Sequence, residues 1–141
     1  MPLTWRTKHM TTISNTATPG GSMVWAGRIL LGVFLLFMAM DIAMHFANPP
    51  QASAAFAHLG FPSSLSRVIA AISLVNLGLY LVPRTAILGA ILQTGYLGGA
   101  VAMHVRVGDS TFFFAILVAT VMWTALYCRD ARFRALLSAQ S

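Results

Sequence analysis

Between Trp25 and Tyr127 the chain repeats one pattern four times: an apolar run almost free of charge, ended by proline, glycine or arginine. The runs are Trp25 to Phe46, Ser66 to Val82, Thr85 to Val105 and Thr111 to Tyr127. Each is long enough, at about 1.5 Å per residue, to reach across a hydrocarbon core about 30 Å thick, with the second run marginal. No water reaches that core, so backbone N–H and C=O groups have to pair within the segment, and runs this apolar are left with the helix.

Composition closes off the soluble alternative. Of 141 residues, 57% are hydrophobic and 9% are charged, against about 25% charged in an ordinary soluble domain. So few charges cannot cover the surface of a water-soluble fold. The fold class expected is therefore all-α, a bundle of four transmembrane helices with lipid as part of its solvent. Residues 23–137 form one membrane domain, between a flexible polar tail over 1–22 and a short end over 138–141. Met10 or Met23 would serve equally well as the start. A cleaved signal peptide is the rival reading of the first run, but the run continues to Phe46 with no A-x-A site after it.

Asn48-Pro49-Pro50 stops the first run. In the connector that follows, Ala52, Ala55, Phe56 and Leu59 fall on one helical face, with Gly60 and Pro62 as stop signals, so a short helix at the membrane surface is expected. Pro83-Arg84 is a tight turn, which returns the third run antiparallel beside the second. Arg106 to Ser110 is a short loop, and Arg129, Arg132 and Arg134 make a basic tail.

The net charge of +6 sits at the ends of the runs, where it sets topology and meets anionic headgroups; it is not a nucleic-acid face. Arg6, Lys8, Arg28, Arg84, Arg129, Arg132 and Arg134 fall on one side, and Arg67 and Arg106 on the other. The positive-inside rule then places both termini and the Pro83-Arg84 turn in the cytoplasm. Cys128 is alone, which excludes an internal disulfide and a dithiol redox centre.

Polar residues are costly inside a membrane and so are informative. Asp41 and His45 lie four residues apart on one face of the first helix, with Arg67, His104 and Arg106 as candidate partners at that depth. The second helix carries Ser73, Asn76 and Tyr80 on one stripe. The third carries Gly89, Gln93, Tyr96, Ala100 and His104. The short turn brings Asn76 and Gln93 to similar depth near the midplane, where hydrogen bonds between helices, or the floor of a small pocket, would explain them. Asp41, His45, Asn76, Gln93, Tyr96, His104 and Arg106 are thus the candidate ligand-binding set. Gly89, Gly95, Gly98 and Gly99 are candidate helix-packing positions; Gly95 and Gly99 form a GxxxG pair facing away from Gln93. His45 and His104 as haem ligands, or with Asp41 as a metal set, are weaker readings, and no metal is assigned.

These residues resemble the DoxX-like family of small bacterial membrane proteins. The resemblance covers Trp25 to Leu137, most specifically Pro83-Arg84-Thr85-Ala86-Ile87-Leu88-Gly89-Ala90-Ile91-Leu92 running into Thr94-Gly95-Tyr96-Leu97-Gly98-Gly99-Ala100. It adds His104-Val105-Arg106-Val107-Gly108-Asp109, Leu59-Gly60-Phe61-Pro62, Asp41, and Arg129-Asp130 with Arg132. It implies a four-helix membrane protein. Among its relatives are a subunit of a thiosulfate:quinone oxidoreductase and membrane components of oxidative-stress complexes. This chain departs from the family pattern at His45, where Lys is frequent, and at Gln93, where Leu is frequent.

Three functions follow as expectations. The first is an accessory or anchoring subunit of a membrane redox complex, quinone-linked through its partner. The second is a binding or transport protein for a small hydrophobic ligand, as a homo-oligomer. The third is a structural role in which Asp41 and Arg106 form a packing pair. The isolated chain carries no cofactor-binding motif and no set of residues expected to make it an enzyme on its own.

Overall fold

A computed structural model describes residues 20–139. They form six helices: α1 (Gly21–Ala47), α2 (Pro50–His58), α3 (Leu65–Leu81), α4 (Ala86–Arg106), α5 (Phe112–Arg129) and α6 (Ala131–Ser138). Of the tail expected over 1–22, residues 1–19 lie outside the described residues, and Gly21 and Ser22 already belong to α1.

The stop signals act as local chemistry requires. Asn48 closes α1 in the left-handed region (φ 45), its N–H bonded to the Met44 carbonyl; Asn tolerates that conformation better than most residues. Pro50 then begins α2 at a position where no N–H is needed. Gly60 (φ 79) and Gly108 (φ 72) end α2 and α4 in the same way: the following residue's N–H reaches back, Phe61 to Phe56 and Asp109 to His104, both at 2.9 Å. At the turn between α3 and α4, the Thr85 hydroxyl donates to the Leu79 carbonyl at 2.8 Å, occupying an acceptor freed at the helix end.

The basic tail is a helix, not an extended end. Asp130 caps α6, accepting from Arg132 N at 2.8 Å and Phe133 N at 3.3 Å. The Phe133 ring stacks on Trp123 with centroids 5.2 Å apart.

The four longer helices pack in a ring: α1 against α3 and α5, and α4 against α3 and α5. Thus α1 and α4 stand at opposite corners, as do α3 and α5. The N-terminus of α1, the α3–α4 turn and the C-terminus of α5 share one end; α2 and the α4–α5 loop share the other. The interior is mainly apolar, built on Phe34, Met38, Leu77, Tyr80, Met122 and Leu126, with Ser66, Ser73, Asn76 and Gln93 buried among them, and the exterior is apolar too: Leu36, Ile72, Val75, Ile91, Phe113 and Leu117 are exposed. So apolar an exterior suits lipid and would be unstable in water. Three helices, α1, α4 and α5, are long and apolar enough to cross a membrane; α3 is apolar but has 17 residues, or about 26 Å of length.

Candidate functional site

The buried polar groups form a file along α3. Ser66, Ser73, Asn76 and Tyr80 share one helical face and are all buried. Some of their hydrogen bonds join neighbouring helices and others cross the middle of the ring.

At the α2 end, the Ser66 hydroxyl donates to the His45 carbonyl at 2.8 Å. The His45 ring meets Phe56 edge-on at 5.3 Å. His45 Nδ1 lies 2.8 Å from the Asp41 carbonyl oxygen, to which it donates. The Asp41 carboxylate is 3.6 Å from the same Nδ1. One turn deeper, the Tyr96 hydroxyl donates to Asp41 Oδ2 at 2.7 Å, and Ser73 adjoins that hydroxyl.

Next in the file, Gln93 is wholly buried (0% exposed). Its Nε2 lies 2.9 Å from Met38 Sδ and 3.5 Å from Ser73 Oγ, while Oε1 has no hydrogen-bond partner. Asn76 is buried and its side chain makes no hydrogen bond among the described residues. At the far end the Tyr80 hydroxyl donates to the Met122 carbonyl at 2.8 Å, joining α3 to α5. Arg129 Nη2 donates to the Tyr80 carbonyl at 2.6 Å.

The seven residues singled out from the sequence therefore divide. Asp41, His45, Asn76, Gln93 and Tyr96 line the interior file. His104 and Arg106 do not join it. His104 Nδ1 lies 3.1 Å from Asp109 Oδ2. The other Asp109 oxygen accepts from Thr111 N at 2.9 Å and Thr111 Oγ1 at 2.7 Å. These Thr111 bonds, more than His104, hold the partly exposed Asp109 carboxyl down at about 2, from an ordinary 3.8. Arg106 donates to the Leu59 carbonyl and thereby ties α4 to the end of α2. The pairing of Asp41 with Arg106 is not made: within 4.0 Å the only basic side chain beside the Asp41 carboxylate among the described residues is His45. No hydrogen bond joins Asn76 and Gln93, which the sequence put at similar depth; the Gln93 amide turns to Met38 and Ser73 instead.

The glycines divide as well. A Cβ on Gly89 would collide with the backbone of Tyr80, so this position sets the close approach of α3 and α4 next to their tight turn. At Gly95, Gly98 and Gly99 a Cβ would meet nothing within 4 Å. An open groove of about 440 Å³ runs beside Gly98 between α4 and α5, lined by Thr94, Ala115, Ala119, Thr120 and Trp123. The Trp123 indole donates to Thr94 Oγ1 at 2.9 Å across it.

Sequence reasoning placed Ser73 and Tyr80 on the right stripe but kept them out of the site, and it missed Ser66, Met38 and Arg129 as members. The Ser66 signal was available: it continues the same helical face two turns before Ser73. Nothing in the sequence could announce Met38 or Arg129, which join through contacts between distant helices.

Chemically, the file offers hydrogen-bond donors and acceptors and one carboxylate. Among the described residues no three His, Cys, Asp or Glu side chains gather as a metal site. The arrangement ties four helices together from inside, and the groove offers an apolar surface with hydroxyl groups.

Helices with an apolar exterior, three of them long enough to span a bilayer, around a core that holds a few hydrogen-bonded polar groups define an all-helical membrane protein. The chain belongs to the DoxX-like family, whose profile matches residues 29–126. No curated protein and no solved structure matches it.

Proposed function

We propose that this chain is a four-span protein of the bacterial inner (cytoplasmic) membrane with both ends inside, serving as an accessory or anchoring subunit of a membrane redox complex whose partner carries the cofactor, quinone included. The observation that carries this reading is the outward face of α4. Gly89 packs against α3, but a Cβ on Gly95 or Gly99 would meet nothing within 4 Å among the described residues. Small residues on a membrane helix allow another backbone to come close, and an unused close-packing face is what a docking subunit needs.

The test is purification in mild detergent from native membranes, with Gly95→Leu as the diagnostic variant. That side chain enters open space, so the fold survives. A cofactor-bearing partner should travel with the wild type and be lost from the variant. Recovery of the chain alone from wild-type membranes would end this reading.

Topology is supported by the arginines: Arg28, Arg84, Arg129, Arg132 and Arg134 lie at one end and Arg67 and Arg106 at the other. α3 completes the ring and runs antiparallel to α4, which favours its crossing with the rest despite its length. Cys128, the one cysteine, makes the test direct. An impermeant maleimide should label it only in inverted vesicles, and a Ser63→Cys, Cys128→Ser chain only in spheroplasts.

A second reading is favoured by the groove between α4 and α5. Its volume of about 440 Å³ falls within the range of small-molecule sites, which suits a small hydrophobic ligand. Gly98→Leu would fill it. Loss of a co-purifying lipophile from Gly98→Leu, with partner capture intact, would favour this reading over docking.

A further inference from the structure

We propose that the end of the bundle around Arg129 is a binding site for the phosphate of an anionic phospholipid. Arg129 is the last residue of α5. Its guanidinium lies over the Tyr80 ring at 4.4 Å and donates through Nη2 to the Tyr80 carbonyl. The ring and carbonyl fix the plane of the group and leave its charge uncompensated. Its Nε is enclosed, with no acceptor among the described residues. A cation held in one orientation, with no carboxylate beside it, is arranged for an oxyanion that accepts from its remaining N–H groups.

The chain supplies no such anion there. Among the described residues there are three carboxylates. Asp41 and Asp109 lie toward the opposite end, each beside a histidine. Asp130 is at the right end, but one of its oxygens caps α6, and its carboxylate is not within 4.0 Å of any arginine side-chain nitrogen among the described residues. Four more arginines lie at the same end. Arg134 donates to the Tyr127 and Cys128 carbonyls at 2.8 and 3.1 Å. Arg28 lies 5.9 Å from the Trp25 ring centre. Arg84 and Arg132 are exposed, and their guanidinium groups make no contact among the described residues. Five guanidinium groups thus meet one carboxylate that is already in use.

Free phosphate and a phospholipid headgroup share the chemistry this site recognises. The surroundings favour the lipid. Leu136 and Leu137, on the same helix as Arg132, are 57% and 49% exposed, and Trp25, next to Arg28 in space, is 64% exposed. Apolar side chains beside arginines provide a place for glycerol and acyl chain as well as for phosphate.

The experiment uses the full chain, delipidated in a neutral detergent, with thermal unfolding and native mass spectrometry as readouts. Phosphatidylglycerol should raise the melting temperature by several degrees and remain bound in the mass spectrum, whereas phosphatidylcholine of the same chain length should do neither. Arg129→Lys keeps the charge but removes the guanidinium edge, and it should abolish the difference between the two lipids. Should that variant fail to fold, Arg84→Gln with Arg132→Gln carries the test: both sites are exposed, and affinity for phosphatidylglycerol should fall several-fold. Equal stabilisation by the two lipids, or an undiminished phosphatidylglycerol effect in the double variant, would overturn the proposal. The same stabilisation by millimolar inorganic phosphate would overturn the lipid as ligand.

Discussion

The Tyr96 hydroxyl donates to Asp41 Oδ2 at 2.7 Å and so joins α4 to α1, helices at opposite corners of the ring. A bond between neighbouring helices could be replaced by packing. One across the centre fixes the separation of helices that otherwise share little contact. Hydrogen bonds between membrane helices are worth about 0.6–2 kcal/mol. We expect Tyr96→Phe to lose about that much, and a double-mutant cycle with Asp41→Ala to return most of it as coupling energy. Unfolding in mixed micelles with a graded denaturing detergent measures both. A coupling near zero would show that the pair does not act as a unit.

Gln93 should behave oppositely. Its Oε1 is buried without a donor, and its Nε2 has only a thioether and a distant serine hydroxyl. Leaving a polar group buried and unpaired costs about 1–3 kcal/mol. Gln93→Leu keeps nearly the same volume and removes the orphan, so it should raise stability, by about 1 kcal/mol after the loss of the weak contacts. The melting temperature of the purified protein reads this directly, and a fall would mean that the amide is better satisfied than its geometry indicates.

Two glycines on one helix should respond differently to the same change. Gly89→Ala drives a methyl into the Tyr80 backbone and should cost about 1–3 kcal/mol, because neither helix can yield without opening the turn. Gly95→Ala meets nothing and should be neutral or gain up to about 1 kcal/mol from helix propensity. Paired thermal melts decide it.

The α4–α5 loop carries the pH dependence. The Asp109 carboxyl is depressed to about 2 by the Thr111 N–H and hydroxyl. A depressed carboxyl favours the folded state when ionised. Its contribution is complete above an ordinary 3.8 and is lost as pH falls through about 2. Thr111→Val removes the hydroxyl and should move the midpoint up toward 3.8. Carboxyl carbon chemical shifts across that window follow the change.

Much of the fold could be read from residue order. The four apolar runs became α1, α3, α4 and α5 within a few residues of the expected ends, because Asn48-Pro49-Pro50, Pro83-Arg84 and Gly108 act through local backbone geometry. Helix α6 was missed although its signals were present: Asp130 as a cap, then Phe133, Leu136 and Leu137 at helical spacing. The charge of Arg132 and Arg134 obscured them.

For the site, the sequence determined which residues share a helical face, since the helical period alone sets that. It could place Asp41 near His45 and Asn76 on a stripe with Tyr80. Only the tertiary structure decided the partners: Tyr96 for Asp41, Asp109 for His104, Leu59 for Arg106, Met38 for Gln93. The reason is that these bonds link residues brought together by the rotation and tilt of packed helices, or by the way a loop folds back on itself. A rotation of one residue's worth, about 100°, exchanges every partner without altering a single local preference.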